Sequence, residues 1–284
     1  MRRQREGEIL KNEKRDKIAS ILAEKPLSIQ DSKFCFMEDA IIPENTAGTG
    51  VFGFLQDTLK KYPTIYRFLV TQLSPVLTSR EYRKLLNTLL ANYGSDKVIV
   101  NYGSGPRILN NRRDLINVDI CSFDAVDVLS DTRLPFKKDS VDLILSLAVL
   151  EHISQPSLAV SEMLRCLRPN GELFVFVPFM QPFHAAPYDY QRWTEVSLRE
   201  VFRDFDILQS GIGVGPTSGF LWVLQHWIAL LLSFGSSTIK DLLLIALMIV
   251  TFPLKYLDIP LEHFVRSRDI ASGFYVHAKK PDTQ

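Results

Sequence analysis

The sequence predicts an α/β fold with a doubly wound, largely parallel sheet. Three observations predict it. Short apolar runs of strand length recur from Val98 onward, stripes of helical spacing separate them, and turn residues stand where one pattern gives way to the other. Strands alternating with helices imply βαβ units with right-handed crossovers, and no internal repeat interrupts them.

Residues 1 to about 30 show no clean period. The start, MRRQREGEILKNEKRDK, is charged throughout with no apolar stretch behind it. It reads as a solvated, partly disordered arm and not as a secretory signal. Phe34–Ile42 is apolar and closed by Pro43, either a short strand or an apolar arm. Leu55–Leu77 has roughly helical spacing, broken by Pro63 and ended near Pro75. Ser79 can cap a helix through Tyr93, because Tyr82, Leu85, Leu86, Leu89 and Leu90 fall on one stripe.

The sheet then follows. Val98–Tyr102 and Leu115–Asp119 are buried-type strands, and Ala125–Leu129 is a weaker third. Val141–Ser146 and Glu172–Pro178 are strand-like, with a helix at Pro156–Leu167 between them. Asn170-Gly171 supplies the left-handed turn that ends that helix. Thr194 caps a helix through Phe202, a strand follows near Phe205–Ile212, and the last strand is Gly273–Ala278.

Bulk composition narrows the function. At 284 residues the chain can bury one core and carry an extra segment. Lys+Arg 33 against Asp+Glu 32 leaves no basic face for nucleic acid, so no nucleic-acid partner is expected. Cys35, Cys121 and Cys166 are far apart and lack CxxC spacing, which argues against disulfides and a structural zinc site and fits a reducing compartment. No metal is expected.

In an open α/β sheet the ligand lies beyond the carboxyl ends of the strands, where strand order reverses. The first strand is followed by Gly103-Ser104-Gly105, whose glycines let the backbone turn sharply and approach a ligand. The second ends in Asp119, sixteen residues beyond Gly103, where a carboxylate can accept both ribose hydroxyls of a nucleoside. The third leads to Ser130-Asp131-Thr132, suited to an adenine edge, and the fourth runs through Ser146 and Leu147 into Glu151-His152. A nicotinamide reading needs a glycine at position 108 to complete GxGxxG, and Ile108 stands there.

In sequence order, NYGSGP, NVDI, DTRLPFKKDSVDLILSLAVLEHI and EMLRCLRPNGELFVFVP resemble the glycine loop, acidic strand end, adenine segment and LEH segment of class I S-adenosylmethionine-dependent methyltransferases, in the methyltransferase type 11 branch. The resemblance covers about Val98–Asp204 plus the final strand. It implies a Rossmann-like seven-stranded sheet whose last strand is antiparallel, with S-adenosyl-L-methionine across the first, second and fourth strand ends. Asn101, Gly103, Ser104, Gly105, Asp119, Asp131, Thr132, Ser146 and Leu147 are its expected contacts. The sequence departs from the family at Asn101, where an acid is usual, and at Arg107, where a third glycine is usual. On this reading residues 1–78 are an N-terminal extension, 79–284 the methyltransferase domain, and 219–265 an insertion within it.

The loop after the fifth strand, Phe179 to Thr194, is dense in aromatic and ionisable residues and reads as an acceptor pocket. His184-x-x-Pro187-x-Asp189-Tyr190-x-Arg192-Trp193-Thr194 is similar to a run in methyltransferases of glycan- and lipid-modifying enzymes. His184 is the candidate general base, since its free pKa lies near neutrality. Asp189 is placed to orient it or serve instead, and Arg192 to pair with a substrate carboxylate or phosphate. The competing reading has Arg192 pair with Asp189, the loop held together, and proximity alone doing the catalysis.

Gly219–Val265 carries two apolar helical segments, Phe220–Phe234 and Leu242–Leu254. Each is shorter than the ~20 residues of a straight membrane span, and the final strand must rejoin the sheet, so a single crossing is excluded. Three readings compete: an interfacial hairpin on the membrane, a homodimer surface, or a cap over the core. The expected function is O-methylation of a sugar, lipid-linked glycan or related small molecule, in the cytoplasm or on the cytoplasmic membrane face. A non-catalytic module binding a membrane or protein partner through the hairpin is the rival.

Overall fold

The computed structural model describes residues 2–38, 72–106, 108–184 and 188–282. The expected helix over Leu55–Leu77 lies mostly outside these residues, as does Arg107. In chain order the principal elements are α1 (Arg2–Ile21), β1 (Ser28–Gln30), β2 (Lys33–Cys35), α2 (Arg80–Asn92), β3 (Ile99–Tyr102), β4 (Ile116–Asp119), β5 (Val128–Leu129) and β6 (Val141–Leu147). They continue with α3 (Pro156–Cys166), β7 (Leu167–Pro178), α4 (Glu195–Val201), β8 (Asp206–Val214), α5 (Pro216–Leu232), α6 (Ser237–Thr251), α7 (Asp258–Leu261) and β9 (Gly273–Lys279).

One sheet runs in the order β1-β2-β5-β4-β3-β6-β7-β9-β8. Pairing is parallel from β2 to β7, while β9 inserts antiparallel between β7 and β8. The seven expected strands therefore form, last strand antiparallel, and the β1–β2 hairpin extends the edge beside β5. Strand order reverses between β3 and β6, which makes their carboxyl ends the ligand-bearing crevice.

The strands alternate apolar residues toward two faces. Val100, Ile144, Leu173 and Val175 face α1, α3 and α4, against Ile18, Met163 and Phe202. Ile99, Leu143, Leu145, Phe174 and Tyr275 face α2, against Tyr82, Leu86, Leu89 and Leu90. Ser79 caps α2 by accepting from Tyr82 N at 3.1 Å, and its hydroxyl donates to Ile212 O at 2.7 Å, tying that cap to β8. Asn170 has φ 59°, the left-handed turn expected of Asn-Gly, though the strand begins earlier than expected, at Leu167.

The charged N-terminus corrects the expectation of a disordered arm, because it is helical through Ile21. Its last turns reach the core through Ile18 and Ile21. Lys14 pairs with Asp127 at 2.6 Å and Lys17 donates to Ser95 O at 2.9 Å. A helix anchored at one end by two apolar residues leaves no periodic stripe to read.

Glu172 ties three elements together: Oε2 lies 2.5 Å from His277 Nε2 on β9, and Oε1 accepts from Tyr93 Oη at 3.0 Å, just past α2. The His277 hydrogen bond, foremost, holds the Glu172 carboxyl below the usual range. A depressed carboxyl stabilises the fold above its unfolded pKa and loses that contribution as pH falls through the folded value. Glu172→Gln should therefore lower the melting temperature by a few degrees near pH 7, equivalent to about 1 kcal/mol. In melts repeated toward about pH 3 the difference should close. A gap that stays constant across that range counts against the pairing.

Candidate active site

The loop from β3 into Gly103-Ser104-Gly105 turns through positive φ at both glycines, 67° and 59°. At Gly103 a Cβ would lie 2.3 Å from Val149 Cγ2, so only glycine fits beneath that side chain. At Gly105 a Cβ would meet nothing within 4 Å, so the loop there faces open space. Gly103 N and Ser104 N donate to Val118 O at 2.8 and 3.1 Å, folding the loop over the end of β4.

Asp119 closes the other side of that space. Its Oδ2 accepts from Gly105 N at 2.8 Å and its Oδ1 from Cys121 N at 2.9 Å. Desolvation raises its pKa against the pull of those amides. The structure thus brings Asp119 to the glycine bend. Ser146, at the end of β6, is fully buried with no partner for its Oγ among the described residues. An open glycine cradle, a carboxylate on its rim and an orphaned buried hydroxyl fit a nucleoside-bearing cofactor.

The other expected contacts divide. Tyr102 Oη donates to Asp131 O at 3.3 Å, which fastens Asp131 to the strand end, while Asp131 Oδ1 accepts from Arg133 N at 3.1 Å. Thr132 and Leu147 are half-buried beside it and at the end of β6 respectively. Asn101 is engaged within the sheet, donating through Nδ2 to Asn117 Oδ1 at 3.0 Å, and Asn117 donates on to Ala125 O at 2.8 Å.

The 3-10 turn Leu150–His152 follows β6, and the loop after β7 folds back on it. Tyr190 N donates to Glu151 O at 2.8 Å, and Gln191 Nε2 reaches Leu150 O and Ile153 O at 3.1 and 2.9 Å. These bonds bring His184 against the turn, with its ring 5.1 Å from that of His152, nearly perpendicular. His184 Nε2 lies 3.9 Å from Glu151 Oε1, and His152 Nε2 lies 3.8 Å from the same oxygen. Glu151 is fully buried, and among the described residues both its carboxylate oxygens lack a hydrogen-bond partner. Burial, foremost, pushes its carboxyl up to about 8. Burial likewise lowers the pKa of His184, which favours the neutral ring with a free lone pair.

Asp189 and Arg192 close on each other. Arg192 Nη1 meets Asp189 Oδ1 and Nη2 donates to Oδ2 at 2.6 Å, a two-pronged pair. That pairing, foremost, holds the Asp189 carboxyl at about 2. Asp189 Oδ2 also accepts from His184 N at 2.8 Å. Arg192 is therefore occupied within the loop, and Asp189 holds the backbone of His184. Glu151 is the residue that sequence reasoning passed over: it was legible only as part of the LEH segment, and glutamate is ordinarily exposed.

The insertion reaches this site. Trp222 of α5 stacks on His184, centroids 6.4 Å apart at 28°. Gly219 permits the approach, since a Cβ there would lie 2.7 Å from Met180 O. Asp258, fully buried, accepts from Thr217 N, Ser218 N and Ser218 Oγ at 2.7, 3.0 and 2.6 Å and so caps α5 from the far side of the hairpin. That cap explains why α5 begins at Pro216, before the apolar run.

Residues 90–175 match the family model described as Methyltransferase domain. A curated relative, an uncharacterized methyltransferase of Mycolicibacterium vanbaalenii, is 46% identical over 55 residues, 19% of this chain. The match spans only 22% of that relative's own length. Among solved structures the chain is similar to the [4+2]-cyclase SpnF, with 18% identity over 70% of this chain and 80% of that one, TM-score 0.43. It is also similar to a Haemonchus contortus phosphoethanolamine N-methyltransferase 2 solved with phosphomonomethylethanolamine and S-adenosylhomocysteine, with 14% identity over 69% of this chain and 52% of that one, TM-score 0.42. Over residues 90–175 the chain thus carries a methyltransferase domain, and the sheet order and glycine bend around it are those expected of the class I S-adenosylmethionine-dependent type.

Proposed function

We propose that this chain methylates a hydroxyl of a sugar, lipid-linked glycan or related small molecule presented at a membrane surface. The observation that carries the reading is the convergence of three features on one crevice: the Gly103–Gly105 bend with Asp119, the His184 and Glu151 cluster, and the apolar hairpin through Trp222. S-adenosylmethionine supplies a methyl group already activated by the sulfonium. Gly103, Ser104, Gly105 and Asp119 would hold its nucleoside, with Asp131, Thr132, Ser146 and Leu147 around it. Asn101, whose Nδ2 donates to Asn117, stands with this set at the end of β3.

What remains for the protein is alignment of the acceptor and removal of its proton. His184 takes that role, its Nε2 free and its backbone held by Asp189, which Arg192 keeps in place. Asp189 and Arg192 are thus positioning residues. A groove of about 270 Å³ lined by Pro182, Val223, His226, Trp227, Leu230 and Lys240 leads from the acceptor loop along α5 and suits a lipid-bearing acceptor.

The hairpin supports the membrane part of the reading. The helical run Ser237–Leu261 is long and apolar enough to cross a bilayer by length and composition, and only 11% of its most apolar window is buried. Trp227 is 60% and Phe234 90% exposed, a surface suited to lying in the interface. β9 returns between β7 and β8, so the hairpin ends where it began, at the sheet.

The test is transfer of labelled methyl from S-adenosylmethionine into a lipid and glycan extract, run beside liposome flotation of the chain with and without residues 219–265. Label in a lipid-phase glycan and flotation lost with the hairpin are the expected results. Cofactor binding without label in any acceptor would leave a non-catalytic module. A concentration-dependent dimer that does not float would replace the membrane with a second copy.

A further inference from the structure

We infer that Glu151, His152 and His184 form a binding site for a first-row divalent cation, with zinc as its representative. The inference goes beyond methyl transfer and stands whether or not transfer occurs there.

Three ligand atoms of the right kind converge. Glu151 Oε1 lies 3.8 Å from His152 Nε2 and 3.9 Å from His184 Nε2, and the three lie within 4.8 Å of one another. Tetrahedral zinc with bonds near 2.0–2.2 Å separates its ligand atoms by about 3.3–3.5 Å, so a cation would draw these in by about half an ångström to an ångström. Two imidazoles and one carboxylate are the donor set of first-row divalent ions, and three protein ligands leave at least one position open.

The second observation is Glu151 itself. Its carboxyl group is fully buried, both oxygens lack a hydrogen-bond partner among the described residues, and it faces the two rings. The nearby guanidinium of Arg192 is taken by Asp189. A buried carboxyl group with no hydrogen-bond partner is costly, and a cation would supply the partner it lacks.

The rings are also oriented from behind. His152 Nδ1 bonds to Tyr188 O, and His184 Nδ1 lies 3.4 Å from Pro182 O. A carbonyl at Nδ1 selects the tautomer with its proton there and turns the Nε2 lone pair toward Glu151. This is the backing that metal-ligating histidines ordinarily have. A bound cation would leave a coordination position for a hydroxyl or a water, which would then lose its proton more readily.

The test uses the full chain, freed of metal with a chelator. It is titrated with zinc chloride by calorimetry and with cobalt(II) by visible absorption. We expect one cation per chain and cobalt bands of low coordination number. Glu151→Gln, His152→Ala and His184→Ala should each weaken zinc binding at least 100-fold. Each variant is also melted and titrated with S-adenosylmethionine. A melting temperature and cofactor affinity near those of the parent identify a folded variant with an intact cofactor site, so loss of zinc then reads on the cluster alone. Glu151→Gln, nearly identical in shape, guards against loss by misfolding. Absence of zinc binding by the parent chain overturns the inference. So does zinc binding that persists unchanged in all three variants, which would assign it elsewhere, for instance to His226, His263 or His277.

Discussion

Replacing Asp119 by Ala is expected to weaken S-adenosylmethionine binding about 100-fold, the largest loss among the cofactor contacts. Two hydrogen bonds from ribose hydroxyls to one carboxylate are each worth about 1.5 kcal/mol, and about 3 kcal/mol together is roughly a factor of 150 in affinity. The same side chain holds Gly105 N at 2.8 Å and Cys121 N at 2.9 Å, so its removal also loosens the bend. Asn, which keeps an acceptor of the same shape, should lose less. The desolvated carboxyl of Asp119 has a raised pKa, so it protonates at higher pH than a free aspartate. Binding should therefore begin to weaken earlier on acidification than for a solvated carboxylate. For folding the sign is opposite: burying the charge costs stability as pH rises, and Asp119→Asn should not lower the melting temperature near neutrality. Calorimetry and melting curves check both. An Asp119→Ala chain that binds within threefold of the parent would sink the cofactor assignment.

His184→Ala should lower turnover about 1000-fold, within the range of a positioned proton acceptor, while cofactor affinity stays within about twofold. The separation follows from geometry. His184 belongs to the turn and hairpin side of the crevice, against Glu151 and Trp222, whereas the cofactor bend lies on β3 and β4. The outcome is the same whether His184 takes the proton directly or through a cation it helps to hold. Asp189→Asn should act differently, because it frees the loop that carries His184 and Arg192 without removing the reactive group. Methyl transfer measured with saturating cofactor distinguishes the variants. Normal turnover in His184→Ala would return catalysis to proximity alone.

Much of this was legible along the chain. Strand-length apolar runs marked β3, β4, β6 and β7, because a sheet covered on both faces must be apolar on both. Ser79 and Thr194 marked the starts of α2 and α4, because a helix start needs an acceptor for its free amides. Gly103, Gly105 and Asp119 were legible because local backbone conformation and a strand-end position fix them. The weak strand β5 is only two residues long, since it is completed by its neighbours more than by its own sequence.

Chemistry within a few residues sets the order of strands and helices, the glycine bend and the acid opposite it. The folded chain adds that the charged N-terminal helix docks through Ile18 and Ile21, that Asn101 turns to Asn117, and that Arg192 is held by Asp189. It alone brought Glu151 and His152 to His184, with the Glu151 carboxyl buried and without a hydrogen-bond partner among the described residues. The physical reason is range. Caps, turns and alternation are satisfied by near neighbours, whereas burial of a charge and the choice of its partner depend on which distant segments close over it.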